Sequence, residues 1–361
     1  MATPTATPTG TSTPLRVGLV GYGLAGRAFH APLIATTPGL RLHTVVTADP
    51  GRRGEAQRDH PGVRVVADTG RLLADPGELD LIVVASPNHT HVPVARAALA
   101  AGLPVVVDKP LAATAAEARD LVEQARRLGL LLTVFQNRRW DADFLTLQDL
   151  LAQGALGTVH RFESRFERWR PAPAPGWRES PDPAWGGGIL HDLGSHLVDQ
   201  ALRLFGPAEG VYAEIDARRP GAQVDDDAFL ALTHTGGVRS HLWMSALAGQ
   251  PGPRLRVLGD RAAYTAPRLD PQEAALRAGL RPGAGWGTVP EADRGLLGTP
   301  EDTGPHPSLP GDYPAFYTGL VAALREGAPA PVDATDAVEV LTVLEAARRS
   351  AASGRTVDLG G

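Results

Sequence analysis

Cysteine is absent from all 361 residues. That absence removes disulfides, thiolate nucleophiles and Cys-ligated zinc or iron–sulfur centres from the possible chemistry, and it fits a reducing compartment. Aromatic residues make up only 5% of the chain, so its cores must be built mainly from aliphatic side chains. No apolar stretch approaches the roughly 18 residues of a membrane span. The leading MATPTATPTGTSTP has neither the basic residues nor the apolar run of a signal peptide. Residues 1–14 therefore read as a disordered Thr/Pro tail, and the protein as cytoplasmic and without membrane contact. Lys and Arg are scattered and the formal net charge is -5, which argues against nucleic acid as a partner. The length points to two domains.

What is present is a strand-turn-helix signature at the start. The run 15–20, LRVGLV, enters Gly21-Tyr22-Gly23-Leu24-Ala25-Gly26 and then a helical pattern at 25–35. The three glycines fall where a turn must be tight, where backbone must approach a pyrophosphate, and where helix must pack on strand. The helix start then offers free N–H groups and positive dipole to the phosphates. This predicts a nicotinamide dinucleotide held along Gly21, Gly23, Leu24, Ala25 and Gly26. A second strand at 40–47 ends in Val46-Thr47-Ala48-Asp49-Pro50-Gly51-Arg52-Arg53. A carboxylate at its end would bind both ribose hydroxyls and repel a 2′-phosphate. Thr47 stands there instead, and Arg52 and Arg53 follow with donor forks suited to a phosphate. NADP is expected, with NAD the alternative should Asp49 turn to the ribose and the arginines be solvated.

Further strand-like runs at 63–67, 79–85, 104–107 and 130–135 alternate with helical patterns at 90–101 and 114–128, the rhythm of a doubly wound parallel sheet. This Rossmann domain is placed at 15–136. A helix at 144–153 follows, and the pattern changes to alternating strands at 159–169, 211–217, 228–234, 238–245 and 254–258, which read as an antiparallel sheet with one wet face. Residues 278–311 are rich in Gly and Pro and read as mostly loop; helices at 312–326 and 333–352 close the chain. The second domain, 137–361, is thus α+β.

Two segments carry candidate chemistry. Ser86-Pro87-Asn88-His89-Thr90-His91 and Asp108-Lys109-Pro110 fall at carboxyl ends of parallel strands, where open α/β sheets bind ligands. Ser86, Pro87, Asn88, His91, Asp108 and Lys109 are accordingly expected at the cofactor, together with Thr47 and Arg52. His30, His89 and His91 read as packing, capping and cleft residues, and no metal is expected. The second segment is GGGILHDLGSHLVDQ from Gly186. On a regular helix Asp192, His196 and Asp199 would share one face, a polar stripe that is costly to bury without a purpose. Trp169, Trp177 and Trp185 in the preceding Pro-rich stretch suit either a sugar face or packing.

GYGLAG with FHAPL, the SPNxxH segment, DKP in place of EKP, Phe135-Gln136-Asn137-Arg138-Arg139-Trp140, and GGGxLxDLGxHLxDQAL together resemble the glucose-fructose oxidoreductase, inositol dehydrogenase and rhizopine catabolism (Gfo/Idh/MocA) family, and within it the scyllo-inositol dehydrogenase-like branch. The likeness runs from Leu15 to the C-terminus. It implies an open, mainly antiparallel sheet in the second domain, self-association to a dimer or tetramer, and NAD(P)-dependent oxidation of a secondary alcohol on a small polyol or sugar. Lys109, Asp192 and His196 match the family's catalytic positions; Arg138 and Asp199 match positions that bind substrate hydroxyls. An aldose or sugar-derivative dehydrogenase, and a non-catalytic dinucleotide-binding regulator of the same fold, are the alternatives.

Overall fold

The computed structural model describes residues 13–173 and 176–360; the expected N-terminal tail, but for its last two residues, lies outside them. The apolar runs pair as a six-stranded parallel sheet of β1 (Leu15–Val20), β2 (Leu40–Val46), β3 (Arg64–Val66), β4 (Leu81–Val84), β5 (Val105–Asp108) and β6 (Leu132–Phe135), in the order β3-β2-β1-β4-β5-β6. Helices cover both faces, so central strands have no wet side: all four residues of LIVV in β4 are buried. The covering helices are α1 (Ala31–Thr36), α2 (Pro50–Asp59), α3 (Thr69–Leu72), α4 (His91–Ala100) and α5 (Ala115–Leu128). α5 is closed at both ends, by a Thr114–Glu117 capping box and by Gly129 in the left-handed region. α2 has no counterpart among the helices read from the sequence. It is polar almost all round, burying only Ala56, and is started by Asp49, whose side chain accepts from the Arg52 N–H.

After β6 a short turn, Asn137–Trp140, leads into α6 (Ala142–Ala152) and the second sheet. That sheet has nine strands: β7 (Val159–Glu167), β8 (Ala208–Asp216), β9 (Asp227–His234), β10 (Arg239–Ser245), β11 (Leu255–Gly259), β12 (Ala263–Ala266), β13 (Leu296–Gly298), β14 (Thr303–Pro305) and β15 (Val357–Asp358). The order is β14-β13-β12-β11-β7-β10-β9-β8-β15. It is mainly antiparallel, with β7 and β10 paired in parallel. The segment 278–311, expected as mostly loop, contributes β13 and β14 to the sheet's edge.

One sheet face packs on α7 (Ser195–Phe205) and α10 (Ala334–Ser353), and α10 also reaches α5 of the first domain; α8 (Gln272–Arg277) and α9 (Pro314–Glu326) complete the helices. The other face bears Phe229, His241 and Trp243, which pack ring to ring.

A buried ion pair ties these elements together behind the site. The Arg139 Nε and Nη2 donate to the two Asp199 carboxylate oxygens at 2.9 and 2.6 Å, and Nη2 also lies 2.9 Å from Asp336 of α10. Removing one partner of such a pair leaves an uncompensated buried charge. Asp199→Ala is therefore expected to lower the unfolding free energy by about 3–5 kcal/mol, measured by urea titration; a loss below about 1 kcal/mol, the surface-pair range, would show that Asp336 alone holds Arg139.

Candidate active site

The glycines of the first turn each answer a different steric demand. A Cβ on Gly21, at φ +101°, would sit 2.5 Å from the Ala85 carbonyl oxygen, and one on Gly26 would sit 2.0 Å from that of Gly21. Gly23 differs, since a Cβ there would meet nothing within 4 Å. It faces the open groove, where bare backbone permits close approach of a pyrophosphate. The helix that follows opens with a π-wound segment, Ala25–His30, before α1, and its first amides have no intrahelical acceptor.

The groove has a volume of about 720 Å³ and crosses the carboxyl ends of β1, β2, β4 and β5. Gly21, Gly23, Leu24 and Ala25 line its floor; Thr47 and Arg52 line the end beside β2, and Ser86, Pro87 and Asn88 the middle. Asp108 and Lys109 close the far end against Asp192. Asp49 caps α2, and Arg53 does not line the groove. These features fit an NAD(P) dinucleotide. Trp177 and Arg178 also reach the groove, from the loop ahead of the second domain's helix, with the guanidinium 4.3 Å from the indole centroid.

At that far end Lys109 joins the two domains. Its Nζ donates to the Asp192 carbonyl at 2.6 Å and to Asp192 Oδ1 at 2.9 Å. Asp192 stands in a π-wound turn, Leu190–Gly194, that precedes α7. Gly188, at φ +92°, makes the sharp entry to it, and the Asp225 carboxylate accepts from the Leu190 N–H. Burial would raise the Asp192 carboxyl, but Lys109, Arg178 and Arg168 outweigh it and hold it well below the ordinary range. His196 lies one turn further on and is driven well below its ordinary pKa, first by burial and then by Lys109 and Arg138. These causes favour the neutral imidazole. Its Nδ1 is buried without a partner among the described residues, which leaves Nε2 as the nitrogen toward the cleft that His196 lines.

This cleft, about 190 Å³, continues from the groove and is small, below the roughly 300–1,000 Å³ of pockets for drug-sized ligands. Arg138 lines it, gripped by Asp141 and Glu273 and set 4.5 Å from the Phe166 ring centroid. Arg168, Arg170, Arg178, Glu273 and Arg277 line it too. Sequence reading missed these five. Arg168 and Arg170 lie beyond the last residue of β7, in phase with its buried Phe162 and Phe166 rather than with its charged face, and Glu273 and Arg277 sit on α8, whose six residues are too few for a periodic pattern.

Three expected site residues are placed elsewhere, the first being Gly26, which packs against the Gly21 carbonyl and does not line the groove. Asp199 does not line the cleft, because Arg139 binds both of its oxygens; the π turn around Asp192 breaks the uniform pitch that the 192/196/199 stripe assumed. His91 is buried beneath the groove, with ring nitrogens 2.8 Å from the Ser86 and Pro110 carbonyl oxygens, so it braces the two loops that line the groove. His30 is also buried, with Nδ1 2.6 Å from the Tyr317 hydroxyl. Of the tryptophans, Trp185 stacks near His89, at 3.9 Å between ring centroids, and Trp169 is exposed.

Residues 15–136 match an oxidoreductase family with an NAD-binding Rossmann fold, and residues 144–265 match the GFO/IDH/MocA C-terminal domain. The uncharacterized oxidoreductase YdgJ of Escherichia coli is 42% identical over 96% of this chain and 99% of its own. The scyllo-inositol 2-dehydrogenase (NADP(+)) IolW of Bacillus subtilis is 36% identical over 96% of this chain and 96% of its own. Among solved structures, YPO2259 of Yersinia pestis aligns with a TM-score of 0.89 at 43% identity, over 97% of this chain and 99% of its own. Oxidoreductase yvaA of Bacillus subtilis aligns with a TM-score of 0.91 at 34% identity, over 96% and 99%. With both of its domains matched in order and full-length relatives well above 30% identity, the chain belongs to the Gfo/Idh/MocA family of NAD(P)-binding oxidoreductases.

Proposed function

We propose that this protein is an NADP-dependent dehydrogenase acting on a secondary alcohol of a small polyol, sugar or cyclitol. The observation that carries the reading is the meeting of Lys109 with Asp192 at the end of a glycine-cradled groove, in a cleft that also holds a neutral His196. The relative named as an NADP(+)-linked scyllo-inositol 2-dehydrogenase supports the substrate class. When bound, the nicotinamide supplies the hydride acceptor. The Lys109 ammonium stabilises the oxygen of the alcohol as it becomes negative, and His196 Nε2 takes the hydroxyl proton. Asp192 orients Lys109 through two acceptors, and Arg138, fixed by its two carboxylates, lies beside the substrate hydroxyls. Carbonyl reduction uses the same groups in reverse.

Lys109→Met keeps the stem and removes the charge. It is expected to lower kcat by on the order of 10²-fold, the effect of deleting one preorganised donor, with cofactor binding little changed. His196→Ala is expected to cost about 10² to 10⁴ in rate. The protonated imidazole cannot act as base and its pKa lies below 6.5, so alcohol oxidation should persist as pH falls through 6.5 and decline only lower, a limb that His196→Ala removes. Near-parental turnover in both variants would remove these residues from the mechanism.

Arg52 at the β2 end of the groove is read as the 2′-phosphate contact. Arg52→Ala is expected to weaken NADP by about 1.5–3 kcal/mol, the range of a charged hydrogen bond, and to leave NAD nearly unaffected. Titration of both cofactors checks this, and equal losses would make the arginine structural.

Self-association through the sheet face that carries Phe229, His241 and Trp243 belongs to the same reading. Light scattering at micromolar concentration is expected to report a dimer or tetramer; a monomer would exclude it.

A further inference from the structure

The cleft is cationic beyond what its own carboxylates balance. Six cationic side chains line it against three carboxylates. Asp192 is shared by Lys109 and Arg178, and Glu273 by Arg138 and Arg277. Asp108 faces His30. Arg168 and Arg170 remain, and among the described residues no carboxylate lies within ion-pair distance of either.

Arg168 is half-buried and Arg170 is exposed, and the backbone of both is held in place. Both lie on the extension of β7, two residues apart and hence on one face of an extended chain. Their backbone N–H groups donate to the Ser245 and Ala246 carbonyls at 2.8 and 2.7 Å, which fixes that extension against the end of β10. The Arg168 guanidinium lies 4.6 Å from the Phe166 ring centroid, and that ring also carries Arg138. An aromatic face positions a guanidinium without neutralising it, leaving its charge and donors for another partner. Burial, and then the like charges of Arg170 and Arg138, depress the Arg168 pKa, although Asp192 and Glu273 act from beyond pairing distance to raise it. A half-buried cation among other cations is an unfavourable arrangement for the free protein and a favourable one for bound anion. The cofactor's phosphates do not supply that anion on this geometry: the pyrophosphate cradle is at Gly23, and neither Arg168 nor Arg170 lines the groove. Both arginines also line an outer hollow of about 600 Å³, where Arg165, Arg254 and Arg268 are paired with Glu163, Asp143 and Asp293 and where Glu167 and Asp270 also stand, so the unpaired charge there is again that of Arg168 and Arg170.

We propose that the substrate carries an anionic group, a carboxylate or a phosphate, which Arg168 and Arg170 bind while its secondary alcohol lies at Lys109 and His196. The inference rests on the dehydrogenase reading for the second half of that sentence only. The reaction stays balanced: the carbinol C–H leaves as hydride to the nicotinamide, the O–H proton goes to His196, and the anionic group undergoes no bond change.

The test uses the purified full chain with NADP and NAD and matched compounds: glucose, gluconate, glucuronate and glucose 6-phosphate, then myo-inositol and an inositol monophosphate. The acidic member of a pair is expected to exceed its neutral parent in kcat/KM by about tenfold or more, the worth of a charge-assisted contact. The carboxylate and phosphate arms show which oxyanion is taken. Arg168→Gln and Arg170→Gln are each expected to reduce the acidic-to-neutral ratio by about tenfold, through KM. Equal or better use of the neutral parents, or a ratio that survives both substitutions, overturns the proposal while leaving the dehydrogenase reading intact. Calorimetric titration of the same acids into the protein with reduced cofactor separates the remaining cases. Binding that needs the two arginines without turnover of any compound upholds the anion site and sinks the dehydrogenase reading; neither binding nor turnover of the acids overturns the anion site.

Discussion

The contact between Lys109 and Asp192 is the constraint around which the two halves of this molecule are arranged. Lys109 comes from the end of β5 in the parallel sheet, and Asp192 from the turn that feeds α7 beneath the second sheet. Two acceptors from one residue, a carbonyl and a carboxylate oxygen, define the direction of the ammonium as well as its position. Such a pair must overcome the desolvation of both charges, and it does so here because Arg178 and Arg168 add to the field on the same carboxylate. The result is a lysine held at the junction of a dinucleotide-sized groove and a small cleft, lining both.

Behind that junction lies a layer of buried polar pairs that does not line the cleft. Arg139 with Asp199 and Asp336, Arg254 bound to the Gln200 side chain, and the Tyr313 hydroxyl on Asp141 link the turn after β6 to α7, α9, α10 and the second sheet. Their value is geometric. Each partner satisfied in one position is costly to leave unsatisfied in another, so the layer favours one placement of the second domain's helices against β6 and, through them, of His196 against Lys109.

The parts legible in the sequence are those where a local rule admits few residues. Gly21 and Gly26 sit against backbone oxygens that exclude a Cβ, and apolar runs such as LIVV belong to strands buried on both faces; each demand shows in the residue itself. α2 was not legible, because a helix that buries only Ala56 has no apolar stripe to betray it. Asp199 was misread for a different reason. Its i+7 spacing from Asp192 identifies a face only on an even pitch, and the wider π turn at Leu190–Gly194 intervenes. Arg168 and Arg170 lie beyond the last residue of β7, in phase with its buried phenylalanines, and only the fold shows that the strand's end leans over the cleft. Spacing reports faces; it does not report what a face meets.

The excess positive charge also resolves an apparent conflict at the reacting centre. The charges and burial that depress the His196 pKa make it a weaker base than a solvent-exposed histidine. In the proposed reaction, however, the alcohol would become anionic beside the same charges and directly adjacent to the ammonium, to which the imidazole is not hydrogen-bonded. At an effective dielectric near 20, a unit charge about 4 Å from the developing alkoxide contributes roughly 4 kcal/mol, equivalent to about 3 pKa units at 1.36 kcal/mol each. On that proposal the acidity of the alcohol would be raised where the proton leaves, and the base would be kept unprotonated where it is received. Strengthening the base by removing nearby cations would lose more on the oxygen than it gained on the ring, so a depressed histidine is what a site organised around Lys109 requires.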